Sequence, residues 1–496
     1  MITSTEFERL AAAGHNRIAM VSEAFADLET PLSLYLKLCT GDGQEAARYS
    51  FLLESVLGGE RFGRYSFIGL PARTVLRAHG HHIEVQRDGQ TIERHEGNPL
   101  SFVEAYQQRF KVALQPGLPR FCGGLAGYFG YDAVRYIEPR LAAGHKDGGL
   151  NTPDVMLLQC EELAVIDNLS GRLYLIVYVD PHQPDAYGWG QQRLAQLRAK
   201  LNRSVSAPEV KPSAAHPVQR DFAKADYLDA VLRAKEYIAA GDLMQVQVGQ
   251  RLHKRFTASP LSLYRALRSL NPSPYMYFYD MGDFQIVGAS PEILVRQERA
   301  AQSRKITIRP LAGTRPRGAT SEQDLALEAE LKADPKERAE HLMLIDLARN
   351  DIGRIAKTGT VKVTDAFVVE RYSHVMHIVS NVEGELRDGM SSLDVLRATF
   401  PAGTLTGAPK IRAMELIDEL EPVKRGIYGG ACGYLSFAGD MDLAISIRTG
   451  VVQNQTLYVQ AAAGVVADSV PELEWQETEH KARALLRAAE LVEAGF

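Results

Sequence analysis

The stretch ELAVIDNLSGRLYLIVYVD, residues 162–180, decides the fold class. Two runs of aliphatic, aromatic and β-branched residues flank the turn-forming segment DNLSG, which is the signature of a hairpin. ARTVLRAHGHHIEVQRDG at 72–89 repeats the arrangement. Outward from these two hairpins, residues 48–180 read as strands joined by short polar turns. A parallel sheet needs a crossover of a dozen or more residues between strands, and such spacers are missing here. The expectation is therefore an α+β fold of largely antiparallel sheets packed with helices, not a doubly wound one.

Beyond this region, NRSVSAPEVKPSAAHPVQR at 202–220 mixes Pro, Ser, Ala and charge without periodicity, and reads as a linker. It divides the chain into an N-terminal domain, 1–201, and a second domain, 221–496. In the second, YLDAVLRAKEYIAAG reads as an amphipathic helix ending at Gly241. MQVQVGQRL, YMYFYD, FQIVGA and KITIRP are strand-like. Residues 323–332, 335–349, 408–420 and 471–491 are helix-like. IYGGACGYLSF, LAISIRTGVV and LYVQAAAGVV are late strands.

The totals exclude several classes. A formal net charge of −5 over 496 residues leaves no basic footprint for nucleic acid. No apolar run approaches the roughly 20 residues that span a bilayer. The N-terminus carries charge where a signal peptide needs an apolar core. Cys39, Cys122, Cys160 and Cys432 are far apart and form no CxxC pair. They read as reduced thiols of a cytoplasmic protein, which argues against a cysteine zinc site.

EHLMLIDLARND at 340–351 poses the chemical question. Leu342, Met343, Leu344, Ile345 and Leu347 cover most of a helix that nonetheless carries carboxylates. Asp334 is a good N-cap, Pro335 suits the first helical position, and Glu337 has capping-box spacing. Glu340 follows one turn later. A second helix, PELEWQETEHKARALL, aligns Glu474, Glu477 and Lys481 on one stripe. Two ExxE pairs converging without a metal would repel, and a hard divalent cation such as Mg²⁺ relieves that repulsion. Glu477 and His480 also make ExxH, as in di-iron bundles. The first helix lacks a matching ExxH, and strands surround both helices.

Other segments carry further possibilities. In LAISIRTG, alternation puts Ala444, Ser446 and Arg448 on one strand face, leaving the arginine room to meet a carboxylate. QAAAGVV lets a ligand approach the backbone at Ala462, Ala463 and Gly464. FPAGTLTGAPK reads as a turn into a helix, with Thr404 and Thr406 free to cap it or to border an anion site. His377 stands among apolar neighbours, where a satisfied core histidine is the commoner outcome. GGLAGYFGYD is not GxGxxG, and GACGY is not a nucleophile elbow.

Together these segments resemble the chorismate-utilising enzymes, in particular the component I branch of the anthranilate synthases. The matching strings are LLES (52–55), GDLMQV (241–246), NPSPYM (271–276), GASPE (288–292), RPLAGTRPRG (309–318), EHLMLIDLARND (340–351), RYSHVMH (371–377), PAGTLTGAPK (401–410), YGGACGY (428–434), DLAISIRT (442–449) and ELEWQETEHKA (472–482). They run in family order over nearly the whole chain.

The resemblance implies the two-sheet sandwich of that family and Mg²⁺-dependent amination of chorismate at C2 with ammonia, followed by pyruvate elimination. It implies that Glu340 and Glu477 hold Mg²⁺, with Glu337 and Glu474 behind them or as additional ligands. Lys481 would add charge beside the ring carboxylate. Tyr428 and Arg448, with the 462–464 backbone, would clamp the enolpyruvyl carboxylate. Glu292 would be the general acid, and His377 would assist pyruvate elimination. Thr404 and Gly313 would contact ring and hydroxyl.

Gln245 stands where isochorismate and salicylate synthases resembling this family have a lysine. Ala312 stands where aminodeoxychorismate synthases, the same-family alternative, typically have one. No segment resembles a glutaminase, so the resemblance implies a separate glutamine amidotransferase subunit and a hetero-oligomer. Glu54, Ser55, Pro274, Tyr275 and Met276, with Gly433 and Tyr434, match the family's L-tryptophan feedback site, with Glu54 as a carboxylate for the ammonium. A non-catalytic, tryptophan-binding regulatory relative is the alternative from a different class. The intact Glu292, His377 and Arg448 argue against it.

Overall fold

In the computed structural model the described residues are 2–40, 48–55, 63–142, 146, 148–205, 208, 210, 212–300, 303–372 and 375–495. Among these residues, two large sheets, of thirteen and twelve strands, pack face to face. Helices cover their outer faces. The strand Tyr275–Asp280 shows why YMYFYD is apolar throughout. Tyr277 and Tyr279 point into the layer between the sheets, while Met276 and Phe278 point at the helices. A strand buried on both faces loses the usual alternation of apolar and polar.

The larger sheet is covered by the helices Pro31–Cys39, Ala186–Leu201, Pro260–Leu270 and Pro471–Ala494. The smaller is covered by Pro99–Gln107, Pro335–Gly353 and Ser392–Thr399, while Lys410–Leu420 packs on Gln245–Arg255 of the larger. Among the described residues, pairing is antiparallel except where Arg17–Phe25 meets Val112–Ala113. The hairpin 162–180 forms as expected, Glu162–Asp167 against Arg172–Val179. No described helix is long and apolar enough to cross a membrane.

Both sheets draw strands from either side of 202–220. Ser50–Glu54 pairs with Tyr275–Asp280, and Gly124–Phe129 pairs with Ala431–Ser436. Within 202–220, Ser213 N–H donates to Glu493 O at 2.9 Å, and Gln219–Arg220 adds a short strand.

Beyond residue 220, the described chain twice passes from one sheet to the other within three residues. One passage joins Phe284–Ser290 to Ile293–Arg299, and the other joins Met441–Ile445 to Thr449–Gln453. The two lie side by side. Ile445 N–H donates to Glu292 O at 3.0 Å, Ala289 N–H to Arg448 O at 3.1 Å, and Ser290 Oγ to Ile445 O at 2.7 Å. This seam is where the expected catalytic residues collect.

Three local expectations need correction. Arg448 is not on a strand. Its φ is +50° in the passage between sheets, because the chain that enters one sheet as LAI leaves through the other as TGVV. The helix after FPAGTLTGAPK begins only at Lys410, with Pro409 as its N-cap, so neither threonine caps it. Thr406 donates to Ala402 O instead. The helix bearing EHLMLIDLARND is buried on one stripe only. Leu342 is 52% exposed, while His341 is fully buried.

Candidate active site

Glu292 ends the first passage and is buried. Burial pushes its carboxyl up to about 8, against smaller opposing pulls from the Thr404 hydroxyl, the Leu311 N–H and the Lys481 charge. A carboxyl that is protonated at neutral pH can donate a proton. Thr404 belongs to a short 3₁₀ turn, Gly403–Leu405, and its buried hydroxyl faces Glu292 without reaching a hydrogen-bond partner.

Arg448 ends the second passage. No carboxylate lies within ion-pair distance of its guanidinium among the described residues. Its one direct hydrogen bond is a long one, 3.4 Å, from Nη1 to Lys481 O. Burial lowers its pKa, while Tyr428 and Glu477 partly oppose the shift. A half-buried guanidinium without a carboxylate is a receptor for an anion.

Tyr428 shares this corner. Burial raises its phenol, and the Ala462 N–H is among the groups that draw it back. The strand Thr456–Val465 explains that N–H. Its neighbour Thr449–Gln453 ends early, so its edge opens at 461–464. On the other side, Gly249 faces Ala462 and Gln247 faces Gly464, but Gly249 N–H goes to Glu421 and Gln247 N–H to Thr406 O. These are therefore the non-hydrogen-bonded pairs of the ladder. The N–H and C=O groups of Ala462 and Gly464 point out at the open edge, while those of Ala463 point into the sheet. A Cβ at Gly464 would lie 2.7 Å from Gln245 Nε2 and 2.9 Å from Gln247 Nε2. Lys481 Nζ donates to Ala462 O at 2.8 Å and lies 2.6 Å from Glu477 Oε1.

His377 sits on Val375–Glu385, beside a bulge at Gly313 in Leu311–Pro316. The RYSHVMH string also includes 373 and 374, which lie outside the described residues. His377 Nδ1 is 2.9 Å from Gly313 O. A carbonyl only accepts, so Nδ1 carries the proton and Nε2 keeps its lone pair. Burial depresses the imidazole to about 4, so it is neutral at pH 7. Gly313 has φ +67°, and a Cβ there would meet Glu337 Oε2 and Leu331 Cδ1 at 3.1 Å. Its carbonyl is thus occupied by His377.

The four carboxylates come from the starts of two helices. Burial raises Glu337, and the charge of Glu340 adds to that rise. Burial likewise raises Glu474, with Glu477 adding and Lys336 of the first helix opposing. Asp334 caps its helix as expected, but Glu337 lies 3.5 Å from Arg315 and does not close a capping box. Gln245 Nε2 donates to Glu340 Oε1 at 3.3 Å. Among the described residues, no three of His, Cys, Asp and Glu are grouped so as to hold an ion alone. The donors are hard, anionic oxygens. They fit a cation bound by two carboxylates that completes its shell with water or substrate oxygen, as Mg²⁺ does.

Apart from the seam, a cavity lies between the sheets. All seven residues expected of the feedback site line it: Glu54, Ser55, Pro274, Tyr275, Met276, Gly433 and Tyr434. Glu54 requires a correction. Its carboxylate turns away to Arg268, at 3.0 Å, and to the Tyr264 hydroxyl on the covering helix. Strand alternation sends Glu54 and Met276 to the helix side together, so they reach the cavity through backbone. The cavity's own carboxylate is Asp442, 2.8 Å from Arg296 and accepting from Tyr275 at 3.1 Å. Tyr434 stacks on Phe121, with centroids 4.2 Å apart, and its buried hydroxyl is unpartnered.

Sequence reading also missed His341. It accepts or donates a 2.7 Å bond with Ser380 Oγ between the carboxylate helix and the His377 strand. Its neighbours in the sequence are apolar, so only three-dimensional packing reveals its partner.

The family model for chorismate binding enzymes matches residues 63–487. The chain belongs to the chorismate-binding enzyme family. Similarity to members of this family extends over the full length. The chain is 57% identical to anthranilate synthase component 1 of Neisseria meningitidis serogroup A, covering 100% of both chains. It is 46% identical to that of Aquifex aeolicus, covering 99% of this chain and 98% of the other. Among solved structures, anthranilate synthase component I of Streptococcus pneumoniae superposes with a TM-score of 0.76 at 36% identity, covering 94% of this chain and 99% of that one. The menaquinone-specific isochorismate synthase of Escherichia coli superposes with a TM-score of 0.71 at 19% identity, covering 98% and 99%, which shows the shared fold.

Proposed function

We propose that the chain converts chorismate and ammonia into anthranilate, pyruvate and water, in the cytoplasm and for tryptophan biosynthesis. The observation that carries this reading is the seam. There a protonated carboxyl, a neutral imidazole and an unpaired guanidinium lie together, in a chain similar at full length to anthranilate synthase component 1.

Arg448, Tyr428 and the outward N–H groups of Ala462 and Gly464 bind the enolpyruvyl carboxylate. Charge-assisted donors at a water-poor corner hold it more tightly than neutral ones would. Glu292 gives its proton to the C4 hydroxyl as that group leaves and ammonia bonds to C2. Thr404 faces the same proton. His377, with Nδ1–H tied to Gly313 O, presents Nε2 as the base during pyruvate elimination. A Mg²⁺ bound by Glu340 and Glu477, with Glu337 and Glu474 behind them, would supply positive charge to the ring carboxylate. Lys481 adds charge beside it. The N–H bonds of Lys481 are committed to Glu477 and Ala462 O, so it is not the nucleophile.

Ammonia comes from a separate glutamine amidotransferase subunit, as the component 1 designation of the relatives suggests. In this reading residues 1–201 contribute part of an L-tryptophan feedback cavity, and 221–496 contribute the seam. The aromatic walls of Tyr65, Phe67, Tyr277 and Tyr434 suit an indole, and Asp442, Arg296 and Ser55 suit its polar end.

The test is the pH profile of kcat/KM for chorismate at constant free ammonia. The rate should fall as pH rises through about 8, because Glu292 loses its proton there. Glu292→Gln should cost about 10²–10⁴ in kcat and abolish that limb. A flat profile to pH 9.5, or a fast glutamine variant, rejects Glu292 as the acid.

A further inference from the structure

Behind the seam lies a buried ion pair that the chemistry above does not use. Arg425 and Glu421 are 4% and 5% exposed. They meet bidentately, Nη2 to Oε1 at 2.6 Å and Nε to Oε2 at 2.9 Å. Apolar residues of similar volume often replace such a pair without loss of stability, so stability alone does not account for it.

Its remaining contacts suggest what it does. Arg425 Nη1 donates to Leu405 O at 2.6 Å, and Nη2 to Gln247 O at 3.1 Å. Glu421 Oε1 accepts the Gly249 N–H at 2.7 Å. The guanidinium carbon lies 5.8 Å from the centroid of the Tyr428 ring and 4.8 Å from that of Tyr131. Apart from Tyr131, each contact reaches a segment with a group facing the seam. Leu405 follows Thr404. Gln247 and Gly249 are the ladder partners of Gly464 and Ala462. Tyr428 is touched directly.

We propose that Arg425, fixed by Glu421, is a positioning residue of the chorismate site: one rigid fork sets the spacing of Thr404, Tyr428 and the open edge at 462–464. A lysine could supply the charge but not the planar fork. The assignment rests on the reading that the seam binds chorismate.

Removing one partner strands a buried charge, so single truncations unfold the chain for reasons unrelated to positioning. The decisive variant is the double Arg425→Met/Glu421→Leu, with Arg425→Lys beside it. Melting temperature and the circular dichroism spectrum serve as fold controls. The expected result is a folded double variant with KM for chorismate raised about tenfold or more and kcat at saturation much less affected. Arg425→Lys should fall between it and the parent.

A folded double variant with the parental KM overturns the proposal. So does a loss of rate that only tracks the folded fraction. If the double variant is unfolded, Arg425→Lys decides: a raised KM at parental melting temperature supports positioning, and an unchanged KM rejects it. A parent chain that does not turn over chorismate rejects the functional reading itself, a separate outcome.

Discussion

Glu292 shows how one side chain couples chemistry to stability. Its folded pKa of about 8 lies above the ordinary carboxyl value of 4.5. Between those values the folded chain binds more protons than the unfolded one, so this group lowers stability as pH rises from 4.5 to about 8, and no further above that. Glu292→Gln should therefore melt higher than the parent at pH 8, and the gap should close near pH 5. Scanning calorimetry at both pH values checks this, and an equal gap at both would contradict it. His377 has the opposite dependence. Its folded pKa of about 4 lies below 6.5, so its contribution is lost as pH falls through that range. Family motifs single out Glu292 and His377, and the general-acid role implies a proton on Glu292. The burial that holds that proton and the tautomer of His377 were not legible, because the packing and the Gly313 carbonyl come from distant segments. Glu54 was misread for a related reason. LLES shows a carboxylate beside apolar residues but not which sheet face it takes.

At the scale of elements, hairpins and helix starts were readable because turn and capping signals are local. Asp334 with Pro335 marked a helix start correctly. The passages between sheets were not readable. Alternation in LAISIRTG continues through Arg448, and nothing in it says that the strand stops and the chain changes sheets. Glu292 and Arg448 sit there because irregular backbone frees side chains from the strict two-face alternation of a strand. The bulge at Gly313 works the same way, by turning a carbonyl toward His377. Gly313→Ala should cost about 1–2 kcal/mol from the left-handed backbone alone, with the 3.1 Å contact to Leu331 adding to it. It should also lower kcat by misaligning His377. Chemical denaturation with steady-state kinetics would check both, and an unperturbed variant would contradict the role given to the bulge.

For the whole molecule, residues 202–220 mark a change in composition, yet the two sheets run across it. Pairing such as Met276 with Glu54 joins residues more than 200 positions apart and leaves no local signal. Long-range pairing also lets a cavity and a seam share one sandwich. Tyr277 of the cavity wall bonds Thr449 Oγ1 at 2.6 Å, one residue after Arg448. Cavity and seam are thus joined by a buried side-chain hydrogen bond, the route by which, under the proposed function, tryptophan would alter chorismate affinity. The most direct measurement incubates the purified chain with chorismate, Mg²⁺ and ammonium but no glutaminase, and identifies the product by chromatography and fluorescence. The account predicts anthranilate, the ortho-amino isomer, with an equal amount of pyruvate, both suppressed by L-tryptophan. A para-amino product, or no product from a chain that still binds tryptophan, would contradict it.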